Sequence, residues 1–213
     1  MSTTTSRRKL SVPVVIAGGV SALVLALGMT PTFSAFSASI QNSTNTAGTG
    51  TLVMEEKNAA GLVTCLSTDA VGVSVNAATC ATINKYGGNL AMVPGQTVTT
   101  VINIKNVGTV DASSFSLTPG ACAQSINGSV NGSAGDLCSK ITVTVTSGAS
   151  TIYSGTAAAM NAGAIDVLAK TASAGVAPGA TVPITFAVKL DAAVGNTYQG
   201  LKVSQPMTWA FGA

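Results

Sequence analysis

The chain has 213 residues, of which only 8% are charged, far below the ~25% of an ordinary soluble domain. Its three excess positive charges are Arg7, Arg8 and Lys9, and the seven remaining lysines balance the seven acidic residues. The sequence contains no histidine and no arginine after Arg8. This composition excludes a basic nucleic-acid-binding surface and the catalytic classes that depend on histidine.

The chain opens with the three-part pattern of a secretory signal. A basic stretch is followed by an apolar run, residues 12–29, and then by small residues with two phenylalanines. We expect a cleaved signal peptide over residues 1–35, with signal peptidase cutting at Ala35–Phe36 or at Ser34–Ala35. The alternative is an uncleaved membrane anchor, because about 18 apolar residues reach the lower limit of a span.

The segment behind that junction, residues 36–54, has no charge and no proline and is rich in Ser, Thr and Asn. Removal of the signal would leave this segment as a free end, whose backbone groups can complete the edge of a sheet. We predict that it is a donor strand for a neighbouring molecule. The side chains assigned to this strand are Phe36, Ala38, Ile40, Thr49 and Leu52.

Residues 55–213 are predicted to form one all-β domain, a two-sheet jelly-roll-like sandwich. The evidence is period-two alternation of apolar and polar residues in short segments between Gly, Pro, Asn and Ser. These segments lie at residues 71–75, 98–104, 141–145, 182–190 and 201–211. Several such strands in one chain are typical of a sandwich or jelly roll.

Some segments carry finer signals. Residues 92–106 and 176–190 share a Pro-Gly turn before a strand, which indicates two equivalent strands of a two-sheet fold. Pro183 and Pro206 lie inside strand-like runs and indicate an edge or a bulge there. The alanine-rich stretch 155–175 is the least β-like part, with a short helix expected around residues 164–170.

Four cysteines allow three disulfide pairings. We expect the sequential pairing, Cys65–Cys80 with Cys122–Cys138, because export favours disulfides and these pairs close short loops. On the chain-entropy model each pair contributes ~3 kcal/mol. The alternatives are free buried thiols and a four-cysteine zinc site, although the chain has no CxxC pair.

No enzyme activity, cofactor or metal is predicted. Glu55 and Glu56 are adjacent, so in a strand they face opposite sides and cannot act on one substrate atom. The five aspartates are scattered among turns and are interpreted as solvated loop residues, with a calcium site built from two of them as the alternative. A secreted protease is therefore disfavoured.

The aromatic residues near the end of the chain are interpreted as core. Trp209 and Phe211 have the same parity as three apolar residues before them, Leu201, Val203 and Met207. We expect Trp209 to be buried beside the strand at 182–190. A carbohydrate-stacking platform is the alternative.

Three segments resemble the TasA/camelysin family of secreted, fibre-forming surface proteins. They are TFSAFSAS (32–39) with NTAGTGTLVM (45–54), VPGQTVTTVINIKNVGTVDA (93–112) and GNTYQGLKVSQPMTWAF (195–211). They are similar to the family's signal-peptidase junction and first strand, its Pro-Gly strand segment and its terminal block. The chain departs from the family at Ala38 and Ser39, where an acid is frequent, and in its cysteines.

The resemblance implies a jelly roll and extracellular fibres of a biofilm matrix, in which the N-terminal strand of one subunit completes the sheet of the next. Part of the family carries a metalloprotease label, which a chain without histidine does not support. The sequence therefore predicts a secreted homopolymeric subunit of the matrix or cell surface, with an accessory matrix protein as a further partner. The alternative is a monomeric, secreted or membrane-anchored binding module such as an adhesin.

Overall fold

The computed structural model describes Ile40 and residues 44–213. The expected signal peptide, residues 1–35, and the donor side chains Phe36 and Ala38 lie outside the described residues. The chain divides into two units, Met1–Ala47 and Gly48–Ala213, and every element below belongs to the second. Within the described range, no helix has the length and apolar character needed to cross a membrane.

The described residues form a β-rich domain with few helical residues. Its strands are β1 Met54–Asn58, β2 Thr64–Leu66, β3 Thr97–Asn106, β4 Ser114–Pro119, β5 Ala123–Ile126, β6 Ile141–Ser147, β7 Ser150–Thr156, β8 Ile165–Asp166, β9 Thr181–Leu190, β10 Leu201–Ser204 and β11 Met207–Gly212. Two short α-helices, α1 Leu137–Lys140 and α2 Val167–Thr171, and two 3₁₀ helices, Met160–Ala162 and Asn196–Tyr198, complete the list. Helix α2 confirms the helix expected near residues 164–170.

The first layer is a six-stranded antiparallel sheet with the order β2-β1-β3-β9-β6-β7. Its two ten-residue strands, β3 and β9, are neighbours, with Ile102 opposite Ile184 and Val98 opposite Val188. The alternating β-branched residues place one apolar row on the inner face. The strands predicted at 98–104, 141–145 and 182–190 are confirmed as β3, β6 and β9.

The second layer is built from two long chain segments that pair antiparallel. Strand β11 pairs with β4 and β10 pairs with β5, while β8 adds two residues beyond β4. Between these ladders, Gln205 and Pro206 lie opposite residues 120–122, so one strand carries an extra residue. Pro206 therefore lies at a bulge, as its position in the sequence indicated.

The two layers share one hydrophobic core, which makes the fold an all-β sandwich. The largest fully buried side chains come from both layers: Phe115, Phe186, Ile102, Ile104, Leu117, Met160, Ile184, Val143, Val145, Val167 and Val188. Trp209 of β11 was expected to be buried. It is instead half-buried, although it packs on Phe186 of β9 as expected.

One predicted strand, residues 71–75, is wrong. These residues form turns after β2, in which Gly72 and Asn76 adopt left-handed backbone conformations with φ of 73° and 50°. Val71, Val73 and Val75 are 59–64% exposed. Alternation alone could not reveal this, because a strand also needs a partner to receive its backbone hydrogen bonds.

The segments 92–106 and 176–190 are adjacent in one sheet, where they end in β3 and β9. The sequence predicted two equivalent strands but did not predict that they are neighbours in one sheet. Pro183 lies in the half of β9 that β6 does not reach, because the β6 pairing stops at Thr185. That half of β9 is a local edge, so a missing N–H is tolerated there.

The start of the domain lies upstream of residue 55. The Thr51 N–H donates to the Thr109 hydroxyl over 2.8 Å, and the Val107 N–H donates to the Val53 carbonyl over 2.9 Å. Gly108 lets the two segments touch, because a Cβ there would lie 2.3 Å from the Thr51 carbonyl oxygen. Residues 51–54 therefore belong to the domain, and the expected donor segment overlaps it.

Candidate functional site

The two layers differ in width, so the narrower second layer leaves part of the inner face of the first sheet uncovered. Six strands span about 24 Å between the outer strands, whereas three span about 10 Å. The inner face of β1 and β2 carries Glu56 and Cys65, because Glu56 lies directly opposite both Cys65 and Ile104. Among the described residues no strand of the second layer covers this face.

An irregular segment, residues 77–93, covers the face instead, and we call it the cover loop. The Cys65–Cys80 disulfide fixes its start to β2, and Ile83 is buried in the core. The Lys85 ammonium lies 2.7 Å from the Glu56 carboxylate, with only 11% and 10% of these side chains exposed. Polar and covalent contacts thus hold the loop where a strand would be expected.

Tyr86 and Gln205 join the cover loop to the second layer. The Tyr86 hydroxyl donates to Gln205 Oε1, and Gln205 Nε2 donates to the carbonyls of Gly120, over 2.8 Å, and Ala157, over 3.1 Å. Burial, and then the nearby Tyr153, raises the pKa of Tyr86, so its hydroxyl is protonated and remains a donor. Gln205 therefore holds the loop, the β4–β5 bulge and the end of β7 together.

Between the cover loop and β10 lies a cleft with a volume of about 550 Å³. Its floor is the first sheet, with Val188 and Leu190 of β9 and Ile141 of β6. Its walls are the cover loop on one side and β10 on the other. The apolar lining residues of the walls are Ile83, Leu90, Met92, Leu201, Val203 and Met207.

The β10 wall of the cleft is also the edge of a sheet. In the described residues β10 pairs only with β5, and β11 only with β4. The other side of both strands carries backbone N–H and C=O groups with no strand opposite, which is a ready template for an added strand. Beside it, the indole N–H of Trp209 is buried without a hydrogen-bond partner among the described residues.

The floor of the cleft and the point where the chain enters the domain lie at opposite ends of β3 and β9. Strands β3 and β9 are antiparallel, so Thr97 and Leu190 mark one end, and Asn106 and Thr181 mark the other. The cleft touches Leu190, whereas Thr51 lies at the loop after Asn106. Ten residues of β3 separate the two ends by about 30 Å.

Asn106 organises the end where the chain enters the domain. It is fully buried, and its Nδ2 donates over 2.8 Å to the carbonyls of Val110 and Val176. Its Oδ1 accepts the Gly108 N–H over 3.0 Å. The chain therefore enters the domain against a fixed turn.

The structure places the predicted site residues as follows. Ile40 is fully exposed, Thr49 is exposed, and Leu52 is half-buried against the domain's own core. Both disulfides are present, Cys65–Cys80 and Cys122–Cys138, in the sequential pairing. Two disulfides indicate an oxidising, extracytoplasmic compartment.

The acidic residues do not assemble into a site. Glu55 pairs with Lys57 at 3.0 Å, whereas Glu56 pairs with Lys85 on the other face of β1. Within the part of the chain described, no three His, Cys, Asp or Glu side chains are grouped so as to hold a metal ion. The Tyr198 hydroxyl donates to Asp136 over 2.7 Å, and this bond lowers the pKa of Asp136.

The comparisons with known proteins add no family. No family model and no curated protein matches this chain. The cleft and its sheet edge are therefore the features of the structure that bear on function. Neither was predicted from the sequence, and the signal that pointed toward them was Pro206, which follows β10 at the cleft wall.

Proposed function

We propose that the protein is a secreted structural subunit that polymerises head to tail. The N-terminal segment of one copy, residues 36–47, enters the cleft of the next copy and pairs with the free edge of β10. In this proposal the sandwich is a jelly roll of the TasA/camelysin type, exported by a cleaved signal peptide. The polymer is a fibre of the extracellular matrix or cell surface.

The observation that carries the proposal is the position of the cleft. Its floor, at Val188 and Leu190, lies at one end of β9, while the chain enters the domain at the other end, beside the loop after Asn106. A donor and an acceptor at opposite ends of one molecule form a heterologous contact, which generates an open filament unless the rotation closes a ring. The incoming strand would extend the second layer from β10 into the cleft, toward the cover loop.

The chemistry of the two partners is compatible. The segment has no charge and no proline, so every residue can donate a backbone N–H to the β10 edge. Phe36, Ala38 and Ile40 fall on one face of an extended strand and meet an apolar cleft lining. Each ladder bond contributes only ~0.5–1.5 kcal/mol net, so several must form together.

Signal removal would control assembly in this proposal. An uncleaved chain holds Phe36 next to its membrane segment, where it cannot enter another molecule. Cleavage would release the strand, which makes signal peptidase a required partner. An accessory matrix protein with a compatible strand or cleft could start or end a fibre.

A second candidate is a monomeric surface binding module such as an adhesin. The cleft volume of about 550 Å³ lies in the range of small-ligand pockets, and this favours a bound ligand. Under that function the cleft would accept a foreign molecule and not the chain's own segment.

A deletion of residues 36–47 tests the proposal. We expect a folded monomer that forms no fibres by electron microscopy but binds a synthetic peptide of residues 36–47. Added to wild-type protein, it should cap growing ends, because its cleft is intact. Fibres from the deleted protein would overturn the proposal, and so would a folded cleft that ignores the peptide.

A substitution in the cleft provides the complementary test. Val203→Asp places a charge on the cleft wall and should prevent peptide binding. Val182→Asp is the matched control, because Val182 is also half-buried but lies on β9 near the other end. Circular dichroism checks that both variants fold. Equal peptide binding by both variants would count against the cleft.

A further inference from the structure

Exposed large apolar side chains are concentrated at the two ends of the domain. At the end where the chain enters are Val71, Val73, Val75 and Val107, which are 60%, 64%, 59% and 37% exposed. At the cleft end are Leu90, Val93, Ile126 and Val130, which are 60%, 61%, 60% and 79% exposed. Apolar patches of this kind mark interaction surfaces in soluble proteins.

Three of these valines, Val71, Val73 and Val75, lie on one ordered turn, residues 68–76, which we call the entry cap. Asn76 Nδ2 donates to the Leu52 carbonyl over 2.6 Å, and the Ser67 hydroxyl donates to Asn76 Oδ1 over 2.6 Å. The Met54 N–H donates to the Ser67 hydroxyl over 3.0 Å. The cap is therefore fixed beside the point where the N-terminal segment joins the domain.

The apolar residues of the cleft end form a rim around the cleft mouth. We call Leu90, Ile126 and Val130 the cleft rim. Asn127 Nδ2 donates to the Leu90 carbonyl over 2.8 Å, and the Asn127 N–H donates to the Gly200 carbonyl over 2.6 Å. These bonds fix the cover loop to the second layer, so the rim is also a built surface.

We propose that the entry cap of one copy packs on the cleft rim of the next copy. This inference rests on the proposed function, and it adds a direct contact between domains to the donated strand. The occupant is a second copy because the cap lies beside the departing N-terminal segment and the rim lies beside the cleft that receives such a segment. The segment leaves its domain next to the cap and enters the neighbouring domain next to the rim, so joining brings the two surfaces together.

Charge does not oppose this contact. The balanced seven lysines and seven acidic residues leave no net charge after residue 9, so two copies do not repel each other as highly charged domains would. The side chains of the cap and the rim are valine, leucine and isoleucine, which are uncharged, and their burial removes apolar surface from water. A donated strand supplies the backbone pairing, and the cap and rim would fix the orientation of consecutive domains.

Isosteric substitution tests the contact without disturbing the fold. The triple variant Val71→Thr, Val73→Thr, Val75→Thr keeps side-chain shape and makes the cap polar. We expect the protein concentration needed for fibre growth to rise by about tenfold. When residues 36–47 are also deleted from this variant, it should bind the 36–47 peptide with unchanged affinity. Leu62→Thr is the matched control, because Leu62 is 85% exposed but lies on the β1–β2 turn, away from both ends.

A charge pair tests which surfaces meet. Val73→Glu alone and Val130→Lys alone should each slow fibre growth, and the double variant should recover it because every joint then brings opposite charges together. Growth of the single variants at the wild-type rate, or no recovery in the double variant, would overturn the inference. The peptide measurement distinguishes failure of the cap–rim contact from failure of the proposed function. If the 36–47 deletion does not bind the 36–47 peptide, the proposed function itself is overturned.

Discussion

Trp209 of β11 meets Phe186 of β9 edge to face, with ring centroids 6.3 Å apart and ring planes at 74°. The same indole lies 5.5 Å from Phe115 of β4. One half-buried side chain thereby links the narrow layer to the centre of the wide layer. Its packing stabilises the free edge of β10 and β11 on the first sheet.

Trp209→Ala should lower the free energy of unfolding by about 3 kcal/mol, at the lower end of the range for Trp→Ala in cores, because the side chain is half-buried. Trp209→Phe should cost less, since it keeps an aromatic contact and removes a buried N–H that has no partner in the described structure. Urea unfolding followed by circular dichroism measures both. An unchanged midpoint for Trp209→Ala would contradict the packing described.

The sequence predicted three of the six strands of the wide layer, β3, β6 and β9, because these strands carry an alternating pattern of their own, whereas β1, β2 and β7 were not predicted. In β6 and β9 the apolar residues alternate without interruption, and in β3 only Val101 breaks the alternation, so period two indicates a strand in all three. The valines at 71, 73 and 75 show the limit of that rule. They alternate equally well, but Gly72 and Asn76 adopt left-handed conformations and the segment turns.

The cleft could not be predicted because it forms where the second layer has no strand to cover the first sheet. Its width follows from the β10–β5 and β11–β4 pairings, which join residues far apart in sequence. Lys85 and Glu56 become partners only when the cover loop folds back over β1. No local pattern near either residue signals this contact.

Lys85→Met should destabilise the domain strongly. The change leaves the Glu56 carboxylate buried without its cation, and breaking a buried ion pair costs about 3–5 kcal/mol. The double variant Glu56→Leu, Lys85→Met should recover much of that loss, because it removes both charges. Thermal and urea unfolding of the three proteins give the comparison. A double variant no more stable than Lys85→Met would show that the charge pair is not the cause.

Tyr198→Phe should raise the pKa of Asp136 toward its ordinary value, since the Tyr198 hydrogen bond is the largest cause of the lowered pKa. A lowered pKa in the folded state stabilises the fold above the ordinary carboxyl pKa, and that contribution is lost as pH falls through the folded-state value. The variant should therefore lose less stability on acidification than the wild type. NMR titration of Asp136 measures the shift directly. An unchanged titration would exclude this bond in solution.

Gly108→Ala should loosen the junction between the N-terminal segment and the domain. A Cβ at Gly108 would lie 2.3 Å from the Thr51 carbonyl oxygen and 2.9 Å from Leu52 Cα, so residues 51–53 must move. Limited proteolysis should then cut near residues 48–53 faster than in the wild type. Gly48→Ala is the control, because nothing lies within 4 Å of a Cβ there. Equal cutting of both variants would contradict the close contact.

The two disulfides should differ in what they do for the cleft. They close loops of similar length, with sequence separations of 15 and 16, so removing either pair should cost a similar ~3 kcal/mol on the chain-entropy model. Only Cys80 lines the cleft, where it anchors the cover loop to β2. Cys65→Ser, Cys80→Ser should therefore weaken binding of the 36–47 peptide, while Cys122→Ser, Cys138→Ser should lose stability but keep binding when folded. Calorimetry at a temperature where both variants are folded makes the comparison. Equal loss of binding would mean that the cover loop keeps its place without its covalent anchor, and that Lys85 and Tyr86 suffice to form that wall of the cleft.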